Sequence, residues 1–598
     1  MARGSRTGRM VIALIAALGM AAVAAMPGHT GAVRPTATPA PVASPTGSVA
    51  IGPAATPGTP VSGQGAPAAG PGPASLDWAQ YDNDASDARY SLAARITPDN
   101  AAGLRLAWSF HTGVSGPRLS FESTPVEAGG RLFLTAPDDE VFALDAATGR
   151  QLWHVAPRPE PDAPPQRVNR GVAYGDGRVY LATVDDRLIA YDAATGARLW
   201  SAQITPSLGI AFESAAPLFV DGRVIVGIAA GEHEIRGFVA AYAAATGKEL
   251  WRFATVPGPA DPGGASWPPG DRYLHGGGPV WMTAAADPAL GLVYFCVANP
   301  SPDFNGSGRA GDNLYTNSIV AVHAGSGALA WHFQEVHHDL WDYDPASSPV
   351  LLDLPGAGGT VPALIQAGKT GFLYVLDRRT GAPVVPAPEV PVPAGPPWQH
   401  ASPTQPEPRN QPFAPQCPPP GLYPREGCIF TPPDEVPMLQ APGGIGGSAW
   451  SPVSYSPRTG LAYIAANSYP VLRSTTPHAC CFGRSPSNLP GEPQVGGLVG
   501  YDVANGRIAW QAPVGGFAFG GSAVTAGDVL FSGESSGAFD AWDARTGRLL
   551  FRYPTAAGAD AAPSVYVANG REYVAIAAGG NTTIHSKPGD TLLAFALP

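Results

Sequence analysis

Short apolar runs broken by turns make up most of the chain, and one form recurs. ALDAATGRQLW ends at Trp153, AYDAATGARLW at Trp200, AYAAATGKELW at Trp251 and AVHAGSGALAW at Trp331. VLDRRTGAPVV closes at Val385, GYDVANGRIAW at Trp510 and AWDARTGRLLF at Phe551. Each copy reads as an apolar strand, a tight Asp-x-x-Thr-Gly turn and a second strand. The Gly supplies a positive φ, and the Asp or Thr bonds the turn backbone. The closing Trp is a large apolar plug between neighbouring units. Several copies lie 41 to 54 residues apart, the length of one four-stranded blade. The pattern predicts an all-β fold, an eight-bladed β-propeller with tryptophan-docking repeats. Seven copies are visible. An eighth blade would pair the strand around Leu104–Phe110 with the C-terminal strand Thr591–Leu597, which hides both sheet edges.

The ends and one interior stretch depart from this pattern. Arg3, Arg6 and Arg9 precede an apolar run from Met10 to Met26, with small residues at Ala22 to Ala25. Residues 1–26 therefore read as an export signal peptide. An uncleaved, membrane-tethering N-terminus is the alternative, because the run is at the short edge of what spans a bilayer. Either way the rest of the chain is expected to be exported, in the periplasm or elsewhere outside the cytoplasm. Residues 27–76 are rich in Pro, Ala, Gly and Thr with few large apolar residues, and read as a disordered linker. Residues 77–598 form the propeller. Within them, 386–442 is Pro-rich, lacks the repeat and is too long for a blade turn, so it reads as a loop insertion capping one face.

Composition narrows the function. Only 14% of residues are charged, against 74 Gly and 67 Pro, which suits many short strands joined by turns. A net charge of -11 gives no reason to expect nucleic acid as a partner. Of the five cysteines, Cys417 and Cys428 flank a short Pro-rich loop and are expected to bridge in an exported chain. Cys480 and Cys481 are placed for a strained vicinal disulfide. Cys296 lies in an apolar strand and reads as a buried free thiol. No Cys-x-x-Cys-His is present, so no covalently attached haem is expected.

Four places break the logic of the repeat: Gly231-Glu232-His233-Glu234-Ile235-Arg236-Gly237, Asn299-Pro300, His337-His338-Asp339-Leu340-Trp341-Asp342-Tyr343-Asp344, and Lys369-Thr370-Gly371. All lie where a strand meets a loop, a placement that allows convergence at one mouth of a propeller channel. Taken singly, solvated loop charges explain Glu232 or Glu234, an ordinary turn explains Asn299, and a surface lysine explains Lys369. The third run is harder to explain that way, because solvated loops rarely hold Trp and Tyr between their acids. Carboxylates with an amide oxygen make a hard-cation donor set, suited to calcium or a similar ion rather than zinc.

From about Trp78 to Pro598 the chain resembles the pyrroloquinoline quinone (PQQ)-dependent alcohol and glucose dehydrogenases. The resemblance rests on Trp78...Arg89-Tyr90-Ser91-Leu92...Asn100...Leu106-Ala107-Trp108, on Glu122-Ser123-Thr124-Pro125, on Val168-Asn169-Arg170-Gly171-Val172-Ala173-Tyr174 and on Arg309-Ala310-Gly311-Asp312-Asn313. The C-terminal half is similar to the membrane glucose dehydrogenases in His338-Asp339-Leu340-Trp341-Asp342, Val385-Pro386-Ala387-Pro388-Glu389, Ser402-Pro403-Thr404-Gln405-Pro406 and the final Gly589 to Pro598. The resemblance implies a quinoprotein that oxidises an alcohol or sugar hydroxyl by metal-assisted hydride transfer to the quinone. It makes Glu232, Asn299 and Asp342 metal ligands and Asp342 the catalytic base. It makes Trp281 the floor under the quinone and Lys369 the cation facing the quinone oxygens. Glu122, Arg170 and Ser214 become contacts to the quinone's carboxylates and ring edge. Asp344, two residues beyond Asp342, marks enzymes of this family that use a lanthanide, although glucose dehydrogenases with divalent ions share Asp-x-Asp there. The cofactors implied are PQQ with calcium or a lanthanide ion, and electrons leave to a separate acceptor, cytochrome c or a membrane quinone.

Three departures stand out. Pro164-Pro165 replace the adjacent cysteines usual over the quinone, Ala449 stands for an Asn and Phe519 for a Trp. The competing reading is a non-catalytic propeller scaffold similar to outer-membrane assembly factors. It explains the tryptophan repeats equally well, but not the ordered set Glu232, Trp281, Asn299 and Asp342.

Overall fold

The computed structural model describes residues 76–159, 167–205, 212–356, 358–477, 487–488 and 495–598. The expected signal peptide and nearly all of the expected linker, together with Pro164-Pro165 and Cys480-Cys481, lie outside them. Pro71–Pro598 form one compact unit. It is built from strands and a few single-turn 3-10 helices.

Among the described residues, eight sheets of mainly antiparallel strands succeed one another, the one that opens at Ser522 also taking the parallel strand Tyr90–Ser91. The first runs Val126–Ala128, Arg131–Thr135, Val141–Asp145 and Gln151–Val155, each strand bonded to the next. Others open at Ala173, Leu218, Ala285, Val350, Ser454, Ser522 and Ser564. The last of these is completed by the N-terminal strand: Arg105–His111 pairs with Thr591–Ala596. The chain thus closes with the strand pairing that the sequence pattern predicts.

The repeat does two jobs at once. In the first copy the Asp145 carboxylate accepts from the Thr148 backbone N–H at 3.0 Å and from the Thr148 hydroxyl at 2.8 Å, and Gly149 takes φ 71°. Glycine is needed there for a second reason. A Cβ on Gly149 would sit 2.5 Å from the Trp108 ring, on Gly196 2.9 Å from Trp153, and on Gly247 2.5 Å from Trp200. Each indole of one sheet therefore lies flat on the turn of the next. The indole N–H also donates to a carbonyl of that turn, Trp153 to Ala193 at 3.1 Å, Trp200 to Ala244 at 3.0 Å and Trp251 to Ala324 at 2.9 Å. Burying a large ring while satisfying its one donor is what suits Trp to this position over Phe or Leu.

Two copies lack the Trp: one ends at Phe551, the other at Val385. For the latter, the insertion takes the place of the ring: a Cβ on Gly506 would meet Asn410 at 2.9 Å, and Gln411 bonds both Gly506 and Ile508. The insertion is ordered. It contains the pair Glu389–Pro391 and Thr404–Pro406 and the Cys417–Cys428 disulfide. Its strands Glu426–Gly427 and Met438–Gln440 join Val471–Arg473 in a separate small sheet. Cys296 is free and buried, and burial pushes its thiol well above the usual range.

Candidate active site

In an antiparallel meander, the start of the first strand and the end of the second lie at the same end of the sheet. Glu122, Arg170, Ser214, Trp281, Trp450 and Phe519 each stand a few residues ahead of a first strand, and Asn299, Lys369 and Asn581 follow second strands. Residues scattered over 460 positions are brought to one face by this single rule. Neighbouring loops are stitched by their backbones, Thr124 N–H to Arg170 O at 3.0 Å and Arg170 N–H to Ser214 O at 3.1 Å.

A cavity of about 540 Å³ opens there, lined among others by Glu122, Arg170, Trp281, Asp342 and Lys369. On one side the Arg170 guanidinium pairs with Glu122 at 2.9 Å and donates to Ser214 Oγ at 3.0 Å. It lies 5.3 Å from the Trp281 ring centre and 5.0 Å from that of Trp450. Asn581 donates to the other Glu122 oxygen. Burial raises the Glu122 pKa, and Arg170 opposes the shift. Arg170 Nε and Trp450 Nε1 are buried donors with no acceptor among the described residues. Ser214 acts through Arg170 rather than lining the cavity.

On the other side stands the acidic run. The Asp339 carboxylate accepts the backbone N–H groups of Trp341 and Tyr343 at 2.8 and 2.9 Å, and Asp342 adopts φ 60°. Side chains then alternate. Trp341 Nε1 donates to Thr431 O and Tyr343 OH to Pro442 O, both at 2.8 Å, so the aromatics hold the insertion in place. Asp342 and Asp344 face Lys369, whose Nζ lies 2.7 Å from Asp342 Oδ1 and 3.0 Å from Asp344 Oδ2. Burial would lower the Lys369 pKa, but the two carboxylates raise it. Burial pushes the Asp342 carboxyl up to about 8, opposed by Lys369 and assisted by Asp344.

Asn299 joins this side through its backbone N–H, which donates to Asp344 Oδ1 at 2.8 Å. Its amide nitrogen is held by Asp303 at 2.7 Å and by Pro300 O at 3.2 Å, which turns the amide oxygen the other way. Neither Asn299 nor Asp344 lines the cavity. Glu232 lies in the single-turn helix Gly231–His233, with its side chain outside the described residues, and its neighbour His233 lines the cavity. Among the described residues no three His, Cys, Asp or Glu side chains cluster as a metal site. The donor chemistry fits a hard cation nonetheless: two carboxylates share one ammonium, and the Asn299 backbone is bonded to one of them.

Sequence reasoning assigned no role to Trp450 or Asn581. A signal for Trp450 existed, since it precedes Ser454 as Trp281 precedes Ala285. Ala449 and Phe519 both line the cavity, with the Phe519 ring edge-on to Trp450 at 5.9 Å.

Two indoles and a guanidinium suit a flat, anionic ligand held on this all-β frame. The chain belongs to the family described as "PQQ: Glucose/ethanol/alcohol dehydrogenase, beta-propeller domain", whose model matches residues 78–420 and 483–574. It is 33% identical over 554 residues to the dehydrogenase subunit of a quinone-dependent alcohol dehydrogenase from Gluconacetobacter polyoxogenes, covering 84% of this chain and 71% of that one. The quinohemoprotein alcohol dehydrogenase of Comamonas testosteroni is similar in structure, with TM-score 0.75 and 29% identity over 87% of this chain and 80% of that chain. A europium-containing methanol dehydrogenase is also similar, with TM-score 0.74 and 26% identity over 87% of this chain and 98% of that chain.

Proposed function

We propose that the cavity holds PQQ between Trp281 and Trp450 and a hard cation beside Asp342, and that the protein oxidises a small alcohol or sugar. The carrying observation is the division of the cavity into an aromatic side with a paired Arg170–Glu122 and an acidic side two carboxylates deep. Glu122 and Arg170 anchor the quinone's edge, with Ser214 holding Arg170 in place, and Arg170 Nε and Trp450 Nε1 are donors that a polycarboxylate quinone can satisfy. Glu232, Asn299, Asp342 and Asp344 hold the cation. When bound, PQQ supplies the two-electron acceptor and the cation supplies positive charge at its carbonyl. Lys369 fixes one Asp342 oxygen, and the other takes the proton of the substrate hydroxyl. A neighbouring cation lowers the Asp342 pKa and keeps it ionised for that task. The insertion, held by Trp341 and Tyr343, covers the site and limits water.

The extra hard carboxylate of Asp344 favours a trivalent lanthanide over calcium, a reading supported by the europium-containing relative. Residues 77–598 form an eight-bladed, tryptophan-docked propeller, preceded by a linker over 27–76 and an export signal over 1–26. Electrons leave to a separate acceptor, a cytochrome c or a membrane quinone. The test is to reconstitute the protein with PQQ and either calcium or lanthanum and follow dye-linked oxidation of a panel of alcohols and sugars. Oxidation of at least one class is expected. PQQ binding without any turnover would leave the scaffold reading standing.

A further inference from the structure

Arg473 is a charged group that the proposed chemistry leaves unused. Its side chain is 3% exposed, yet Nε, Nη1 and Nη2 have no hydrogen-bond partner among the described residues. It lies over two rings, Phe304 at 5.0 Å and Tyr343 at 5.9 Å. Its surroundings hold it firmly. Arg473 pairs with Met438 in the insertion's small sheet, Thr475 N–H donates to Asp434 O at 2.8 Å, and Asn305 donates to Thr476 O at 3.1 Å. Residues two apart on a strand share a face, so Arg473 lies on the same side as Val471. Val471 belongs to an apolar cluster against which Ile445 and Trp281, both lining the cavity, are packed. Asp342 and Asp339 act on the Arg473 charge, but neither bonds it.

A buried guanidinium without an acceptor is costly, and aromatic faces supply only part of what water gave. Such a group is kept where an anion completes it. Arg473 does not line the cavity as it stands; it lies behind the acidic wall, beside Tyr343, the residue after the base, on a strand paired with the insertion. We propose that Arg473 is a specificity-determining residue that receives the carboxylate of the substrate, and that the preferred substrates are alcohols or sugars carrying a carboxylate, that is, hydroxy acids. A neutral polyol would supply acceptors but no countercharge. This inference rests on the dehydrogenase reading above.

The test uses holoenzyme reconstituted with PQQ and the cation. A graded series of ω-hydroxy acids and the alkanols of matching length are compared by kcat/KM in the parent, Arg473→Met and Arg473→Lys proteins. The parent is expected to favour hydroxy acids. Arg473→Met should reduce the acid-to-alkanol ratio by about 10–100-fold, the cost of a lost charge-assisted hydrogen bond. Arg473→Lys should restore part of it, since it keeps the charge but not the planar fork. Calorimetric titration with the corresponding non-oxidisable fatty carboxylates supplies a readout independent of turnover, and these should bind the parent but not Arg473→Met. A purely structural role would lower the melting temperature and both activities together and leave the ratio unchanged, which overturns the proposal. A parent that favours alkanols or sugars and ignores the carboxylates overturns it too. Arg473-dependent carboxylate binding without oxidation of any substrate would instead refute the dehydrogenase reading and leave the anion site intact.

Discussion

The two walls of the cavity are built from the same loops of the same kind of sheet, yet their charges are arranged differently. On the Glu122 side one carboxylate meets one guanidinium, an amide and a serine, and backbone bonds tie the loops together. That wall is neutral and preorganised, with two donors left over. On the Asp342 side two carboxylates share one ammonium, with a third, Asp339, bent inward to shape the loop. Within bonding distance that wall holds one carboxylate more than it has ammonium groups, and the Arg473 guanidinium acts on it from farther off without bonding it. An enclosed excess of charge is stable only with a counter-ion, so the second wall asks for a cation and the first does not. The lesson is that a propeller with one repeating plan can give opposite electrostatics to adjacent loops, and chemistry follows from the contrast.

Substitutions on each wall should therefore have separable effects. The largest is expected from Asp342→Asn, which removes the base and leaves the aromatic floor. Steady-state kcat should fall about 10²–10⁴-fold while PQQ still binds, measured by quenching of tryptophan fluorescence. Next is Arg170→Met, which strands a buried Glu122. Thermal unfolding should show a loss of about 3–5 kcal/mol, and PQQ affinity should fall, with cation affinity little changed. Asp344→Ala should do the reverse, weakening cation binding about 10–100-fold, more for lanthanum than for calcium, with PQQ affinity preserved. Equal effects of both substitutions on both ligands would show that the walls do not act separately. The smallest effect is expected from Asn581→Ala, which removes one donor to Glu122. PQQ affinity should drop about tenfold or less, well short of the Arg170→Met loss.

Much of the frame was legible because it is local and repeated. The Asp-x-x-Thr-Gly turn, the closing Trp and the positive-φ glycine lie within a dozen residues, and the final strand pair followed from counting copies. The Cys417–Cys428 bridge and the buried Cys296 were readable for the same reason. The site was legible only in part. Glu122, Arg170, Trp281, Asp342 and Lys369 line the cavity; Ser214, expected as a direct quinone contact, does not line it and instead accepts a hydrogen bond from Arg170. The structural jobs of Trp341 and Tyr343 were hidden, because their partners Thr431 and Pro442 lie in an insertion with no periodic pattern. Asn581 was hidden too, since its partner Glu122 is 459 residues away and nothing in the local sequence distinguishes the pair. Arg473 reads as one more strand residue until its burial and lack of acceptors are seen together.

The central claim is that the two walls bind two different groups and that turnover needs both. The most direct measurement is a titration of the ligand-free protein with PQQ, following dye-linked substrate oxidation with and without calcium or lanthanum. The account predicts background rates with PQQ alone or cation alone, and turnover that rises to a plateau at one PQQ per chain once the cation is present. Turnover that is indifferent to the cation, or that appears without PQQ, would contradict it.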